Sequence, residues 1–172
     1  MKDLALKLLT PTPRALVVFG GISALALAVA FAAQFSGLAP CVLCIYQRWP
    51  YAVVVLLAAF GLFGTSKFPK APAVALTLTP FVFAVNAVFA FYHTGVERHW
   101  WKSFLEGCAV PEIKGNITDV LAQIEAAPVV RCDEIPWTDP VLGLSMANYN
   151  VVLCLVLAIA AFWALAKNKG LK

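Results

Sequence analysis

The sequence predicts an all-α integral membrane protein: a bundle of four transmembrane helices, with a short interfacial amphipathic helix in its second outward loop. Three observations lead there. Hydrophobic residues make up 62% of the 172 and charged residues only 13%, against roughly 45–50% and ~25% in soluble chains. The mean hydropathy is +0.83. The apolar residues also gather into four runs of about 20, each long enough to cross a ~30 Å hydrocarbon core as a helix. A soluble enzyme of this composition would lack the polar groups to cover its surface. A disordered chain is excluded for the same apolar excess. The net charge of +4 marks no nucleic-acid footprint, because its placement follows the membrane topology.

The first run, residues 15–35, carries no charge. Lys2, Lys7 and Arg14 precede it and Ala30-Phe31-Ala32 resembles a cleavage site, so a signal peptide has to be weighed. The run exceeds the 7–15 residues of a signal core, and an uncleaved helix is expected. The second run, residues 44–64, holds a single charge, Arg48. The third, residues 71–93, ends on His93, and the fourth, residues 144–166, is uncharged. None alternates as a barrel strand would, which leaves helices as the way to satisfy the backbone in lipid. Pro50 and Pro80 are expected to bend the second and third helices. Gly20, Gly21, Gly61 and Gly64 fit close helix contacts, and Asn86 fits a bond to a neighbouring helix. Residues 1–172 then form one membrane domain.

Charge orients the bundle. Eight of the 13 basic residues (Lys2, Lys7, Arg14, Lys67, Lys70, Lys167, Lys169 and Lys172) share one side with a single acid, Asp3. The other eight of the nine acids lie in residues 94–143. The positive-inside rule puts both termini and the Lys67–Lys70 turn in the cytoplasm, and residues 36–43 and 94–143 then face outward, the oxidising side if this is a bacterial-type plasma membrane. In the longer loop, Ile113, Ile117, Val120, Leu121 and Ile124 recur at helical spacing. Asn116 can cap that helix and Asp119 sits near its positive end. Lying flat with its apolar face on the bilayer is the expected arrangement. Trp100, Trp101 and Trp137 suit an interfacial aromatic belt.

Four of the five cysteines, Cys41, Cys44, Cys108 and Cys132, fall in the outward segments. An oxidising compartment favours their pairing. Cys41-Val42-Leu43-Cys44 is a C-x-x-C, and Cys108 and Cys132 would close a loop of about 24 residues. Three readings compete. Both pairs could be structural disulfides, the longer worth ~3 kcal/mol. All four sulfurs could bind zinc, although structural zinc sites usually bring two close pairs. Or the pairs could exchange electrons. The position of the C-x-x-C at the start of the second helix favours exchange, because a helix N-terminus stabilises a thiolate.

Arg48 lies four residues after Cys44, on the same helix face. An arginine inside an apolar span is costly and functional by default. A side chain snorkelling to the interface is the plain alternative. Beside a C-x-x-C it can hold Cys44 as a thiolate and offer donors to the oxygen of an electron acceptor. A lipid-soluble acceptor fits a site that opens into the bilayer.

The run Cys41-Val42-Leu43-Cys44-Ile45-Tyr46-Gln47-Arg48, the four spans and the two further outward cysteines resemble the disulfide bond formation protein B (DsbB) family. Arg131-Cys132-Asp133-Glu134-Ile135-Pro136-Trp137 and Gly143-Leu144-Ser145-Met146 also resemble that family's approach to its last helix. The resemblance covers nearly the whole chain. It implies a membrane thiol:quinone oxidoreductase that reoxidises a periplasmic DsbA-like thiol oxidase and draws on the quinone pool. The cofactor implied is ubiquinone, with menaquinone the other quinone to weigh. The partner's thiolate would attack Cys108 of a Cys108–Cys132 disulfide, and the freed Cys132 would attack Cys41 of a Cys41–Cys44 disulfide. Cys44 would leave as a thiolate beside the quinone and Arg48.

His93, near the outer interface, could bond the quinone or carry a proton, and Met146 could line its pocket. His99 reads as a surface residue and Cys154 as a small apolar filler. No metal is expected, and no nucleic-acid partner. Two other functions remain to compare. A vitamin K epoxide reductase-like enzyme would carry its C-x-x-C late in the bundle. A disulfide-stapled tetraspan structural protein would not need Arg48 beside Cys44.

Overall fold

The computed structural model describes residues 9–105, 108, 116 and 130–169. Four helices long and apolar enough to cross a membrane form a bundle: α1 (Thr12–Phe35), α2 (Val42–Phe63), α3 (Ala71–Glu97) and α4 (Met146–Lys169). A 3-10 turn, Gly64–Ser66, follows α2. Among the described residues the only β pairing is one antiparallel bridge, Thr138 to Ser145. Of the interfacial helix expected over residues 113–124, only Asn116 is described, as an exposed bend residue; the rest lies outside the described residues.

Local chemistry sets each helix end. α1 starts at Thr12 with proline in its first turn, where the missing N–H costs nothing. It closes at Gly37, whose φ of +95° suits glycine, with Leu38 N–H donating to the Ala33 carbonyl. α4 opens on a reciprocal cap: Asn148 N–H donates to Ser145 Oγ at 3.2 Å, and Ser145 N–H donates to Asn148 Oδ1 at 3.1 Å. α2 and α3 run through Pro50 and Pro80 as continuous helices.

α3 continues four residues beyond the end expected at His93. The added turn, Thr94 to Glu97, is buried, so packing rather than hydropathy extends the helix. Trp101 folds back over it and donates to the Tyr92 carbonyl at 3.1 Å. Its indole fills the space a Cβ on Gly95 would need. The reversal passes through His99, whose φ of 58° lies in the left-handed region.

α2 lies between α1 and α3, and α4 packs on α3 and closes against α1. Phe19 and Tyr51 both meet Phe83 edge-on at the centre. Around them the interfaces are built from alanines, including Ala15, Ala58, Ala75 and Ala161. Small residues let helices approach closely in lipid, where packing replaces the hydrophobic effect as the force for association. At one end Thr12 donates to Asn168 Oδ1 at 3.1 Å, and Asn168 donates to the Leu9 carbonyl at 2.9 Å. Leu25, Val29, Leu56, Val88 and Ile159 stay exposed on the outside of the bundle, where acyl chains would cover them. A Cβ on Gly61 would stand 2.5 Å from Leu16 Cδ1 and 3.0 Å from Ala75 Cβ. Gly61→Ala is therefore expected to cost about 1–3 kcal/mol, read as a lower unfolding temperature in detergent; an unchanged temperature would show that α1 and α3 yield freely there.

Candidate functional site

Cys41 is the residue that caps α2. Its sulfur accepts the Cys44 backbone N–H at 3.3 Å, so the C-x-x-C spacing is also the spacing of a helix cap. The Cys41 and Cys44 sulfurs lie 2.9 Å apart, as free thiols. Hydrogen bonding from the Cys44 thiol, and then the nearby His93, hold the Cys41 thiol down to about 4 against the opposing effect of burial. Of the two sulfurs, Cys41 is therefore the one favoured as thiolate.

His93 is 2% exposed and comes from α3. Its Nε2 stands 3.5 Å from Cys41 Sγ and 3.6 Å from Glu97 Oε1. Its Nδ1 is 2.8 Å from Gln47 Nε2. The bonds behind Gln47 fix the direction. Tyr51 Oη–H donates to Asn150 Oδ1 at 2.5 Å, and Asn150 Nδ2 donates to Gln47 Oε1 at 2.6 Å. Gln47 must then donate to Nδ1, which leaves the proton of a neutral His93 on Nε2, facing Cys41 and Glu97. Glu97 Oε2 accepts from Ser145 Oγ at 2.5 Å.

Cys108 and Cys132 form a disulfide. Both are fully buried, in one apolar cluster with Cys41, Leu43 and Val96. Cys132 N–H donates to the Cys108 carbonyl at 3.0 Å. Next to it, Arg131 grips Asp133 with two bonds, at 2.9 and 2.6 Å. That grip holds the Asp133 carboxyl below its usual range. The disulfide takes two of the four sulfurs the zinc alternative would use.

Beside the dithiol lies a cavity of about 660 Å³, walled by α1, α2, α4, the segments preceding α2 and α4, and His93 of α3. Cys44, Gln47, Arg48, Tyr51, His93, Trp137, Met146 and Asn150 line it among many aliphatic side chains. This is the size and character of a small-molecule site: mostly apolar, with a few convergent polar groups. Cys41 is not part of the wall. Arg48 donates to Gln34 Oε1 at 2.6 Å and to the Ala30 carbonyl at 3.3 Å, with its guanidinium 5.0 Å over the Phe31 ring.

The family model for disulfide bond formation protein DsbB matches residues 12–164. The chain belongs to the DsbB family. It is 31% identical over 143 residues to a disulfide bond formation protein B of Xanthomonas axonopodis pv. citri, covering 74% of each chain. It is 26% identical over 170 residues to one from Stutzerimonas stutzeri, covering 91% of this chain and 97% of that one. An uncharacterized protein of Rickettsia prowazekii is 26% identical over 144 residues, 80% of this chain and 78% of the other. No solved structure matches the chain significantly. Membership in the DsbB family and four spanning helices make this a multi-pass inner-membrane protein of disulfide bond formation.

Within this DsbB family member, the residues singled out from the sequence gather at one end of the bundle. Cys41, Cys108 and Cys132 share one cluster; Cys44, Arg48, His93 and Met146 share the cavity. Arg48 reaches α1 rather than the Cys44 sulfur that the helix register brings near it. Asn86 bonds across helices, to the Gln47 carbonyl at 3.2 Å. His99 is exposed. Cys154 is more than filler: it bonds Tyr51 Oη at 3.2 Å and Asn150 Oδ1 at 3.4 Å. Sequence reasoning passed over Gln47, Tyr51, Glu97, Ser145 and Asn150. Glu97 had a signal, an acid one turn beyond a histidine at the end of a span. Asn150 had a weaker one, a polar residue one turn inside the last span.

Proposed function

We propose that the protein is a thiol:quinone oxidoreductase that reoxidises a periplasmic DsbA-type dithiol partner and passes the electrons to ubiquinone, or to menaquinone where that is the membrane's quinone. The observation that carries this reading is the division of the C-x-x-C between two environments. Cys41 packs with the Cys108–Cys132 disulfide, and Cys44, which touches the same cluster, also lines the cavity. A staple would not need one of its sulfurs to border a cavity.

In this reading the partner's thiolate opens Cys108–Cys132 and takes the place of Cys132 on Cys108. Cys132 then attacks Cys41, and the Cys41–Cys44 bond breaks. With Cys41 tied up in the mixed disulfide, the negative charge moves to Cys44, which borders the cavity. That explains how the reduced pair can charge Cys41 while the relay still delivers a Cys44 thiolate. The bound quinone supplies a two-electron acceptor. Arg48 and His93 would hold its oxygens, and Trp137, Met146 and the aliphatic wall would hold its ring. The partner's second thiol then closes the partner's own disulfide and frees Cys108, which attacks Cys132, restores Cys108–Cys132 and releases Cys41. The reduced pair's two electrons, with the two protons that entered with them, would pass to the quinone, so the net change returns Cys41–Cys44 to a disulfide and yields quinol. The charge distribution of the loops supports cytoplasmic termini and an outward-facing dithiol.

Mixing the purified protein with a reduced DsbA-type partner and ubiquinone is expected to yield one quinol per partner disulfide, followed by the loss of quinone absorbance. Absence of turnover with both ubiquinone and menaquinone would overturn the proposal.

A further inference from the structure

We propose that Glu97 stores the second proton of the reduced dithiol and returns it through His93 during oxidation. Its place in turnover rests on the thiol:quinone reading; its proton storage does not.

The geometry carries the argument. Glu97 is 5% exposed and is the buried acid among the described residues. One oxygen meets His93 Nε2 at 3.6 Å, the nitrogen that also faces Cys41 Sγ at 3.5 Å. The other oxygen is held by Ser145, itself 1% exposed. A single imidazole nitrogen thus stands between a reacting sulfur and a carboxyl group fixed in place from α4's cap. The titratable and charged groups facing Glu97 are His93 and Arg98 from its own helix and Cys41 and Cys44 from the start of α2; the α4 side contributes the Ser145 hydroxyl.

Proton counting gives the carboxyl group its task. Reducing a disulfide to two thiols takes two electrons and two protons. Here the two sulfurs stand 2.9 Å apart, a separation at which one S–H donates to the other sulfur as a thiolate, and the Cys44 backbone N–H also points at Cys41 Sγ, so one proton needs another seat. Glu97 provides it. Oxidation then balances: Cys41–S⁻, Cys44–SH, Glu97–COOH and a quinone give the Cys41–Cys44 disulfide, Glu97–COO⁻ and a quinol. Two S-borne electrons leave as the S–S bond forms. One proton comes from Cys44. The other leaves His93 Nε2, which Glu97 reloads at the same atom. Glu97 touches neither acceptor nor sulfur and is a positioning residue with a proton to hold.

The test needs no quinone. Reduction with excess dithiothreitol is carried to completion in weakly buffered solution near pH 7, and released protons are counted with an indicator. The reductant brings two protons with each electron pair. Wild-type protein is expected to keep all of them. Glu97→Gln, which preserves the bond to Ser145 in size and polarity, is expected to release one proton per molecule. No release from Glu97→Gln, or one from wild type, would overturn the proposal. If Glu97→Gln does not fold, the wild-type protein decides alone. Its reduced-minus-oxidised infrared spectrum is expected to gain a protonated-carboxyl band that shifts in D₂O, and lack of that band sinks the idea. Because wild-type quinol formation is measured separately, loss of that activity refutes the proposed function and leaves the proton count standing or falling by itself.

Discussion

Cys44→Ser is expected to stop quinol formation, lowering the rate by a factor on the order of 10³ or more, as removal of a covalent participant does. Serine cannot form the sulfur–sulfur bond that receives the partner's electrons, and Cys44 is the C-x-x-C sulfur bordering the cavity. The loss should leave the first exchange intact, because the partner's attack falls on the Cys108–Cys132 bond, of which Cys44 is no part. Reduced partner should still open that disulfide in the variant, seen as new alkylatable thiols by mass spectrometry. Residual quinone reduction at even a tenth of the normal rate would mean that electrons leave by a route other than Cys44.

Arg48→Ala is expected to raise the quinone KM by roughly tenfold to a hundredfold, the equivalent of one charge-assisted hydrogen bond of about 1.5–3 kcal/mol. Two of the donors are already engaged with Gln34 and the Ala30 carbonyl. That engagement holds the guanidinium at the cavity wall before any ligand arrives and leaves other N–H groups of its fork for an oxygen acceptor. Arg48→Lys should fall between the two, since an ammonium can keep the charge but not the fork. Unchanged KM and rate in Arg48→Ala would reduce the residue to a strap between α1 and α2.

How much of this could be read in the chain depended on the range of the interactions. The four spans were legible because the bilayer demands a run of apolar residues that no packing detail can disguise. The place of the C-x-x-C at the start of α2 was legible because it follows from where the apolar run begins, but the Cys41 cap itself appears only in the structure. The last turn of α3 was hidden because Thr94 to Glu97 lie past the apolar run, and the cover over Gly95 comes from Trp101 folding back. Ser145 reaches Glu97 across 48 residues, and Asn150 reaches Gln47 across 103. Such pairings follow from the bundle's closure, which one sequence does not encode in any short pattern. Arg48 shows the limit from the other side. Helix periodicity placed it on the Cys44 face correctly, but a long side chain chooses among partners that only the neighbouring helix supplies.

The burial of Cys108 and Cys132 has a consequence for economy of redox traffic. With no exposed sulfur, the loop disulfide is shielded from the small thiols that diffuse past the membrane. Collision alone does not transfer electrons; a visitor must first displace the apolar cover formed with Cys41, Leu43 and Val96. A protein surface that binds the loop can do that, and a free tripeptide thiol has little area with which to try. In the proposed relay, the packing at this end of the bundle thereby works as insulation, keeping oxidising equivalents from leaking away between encounters.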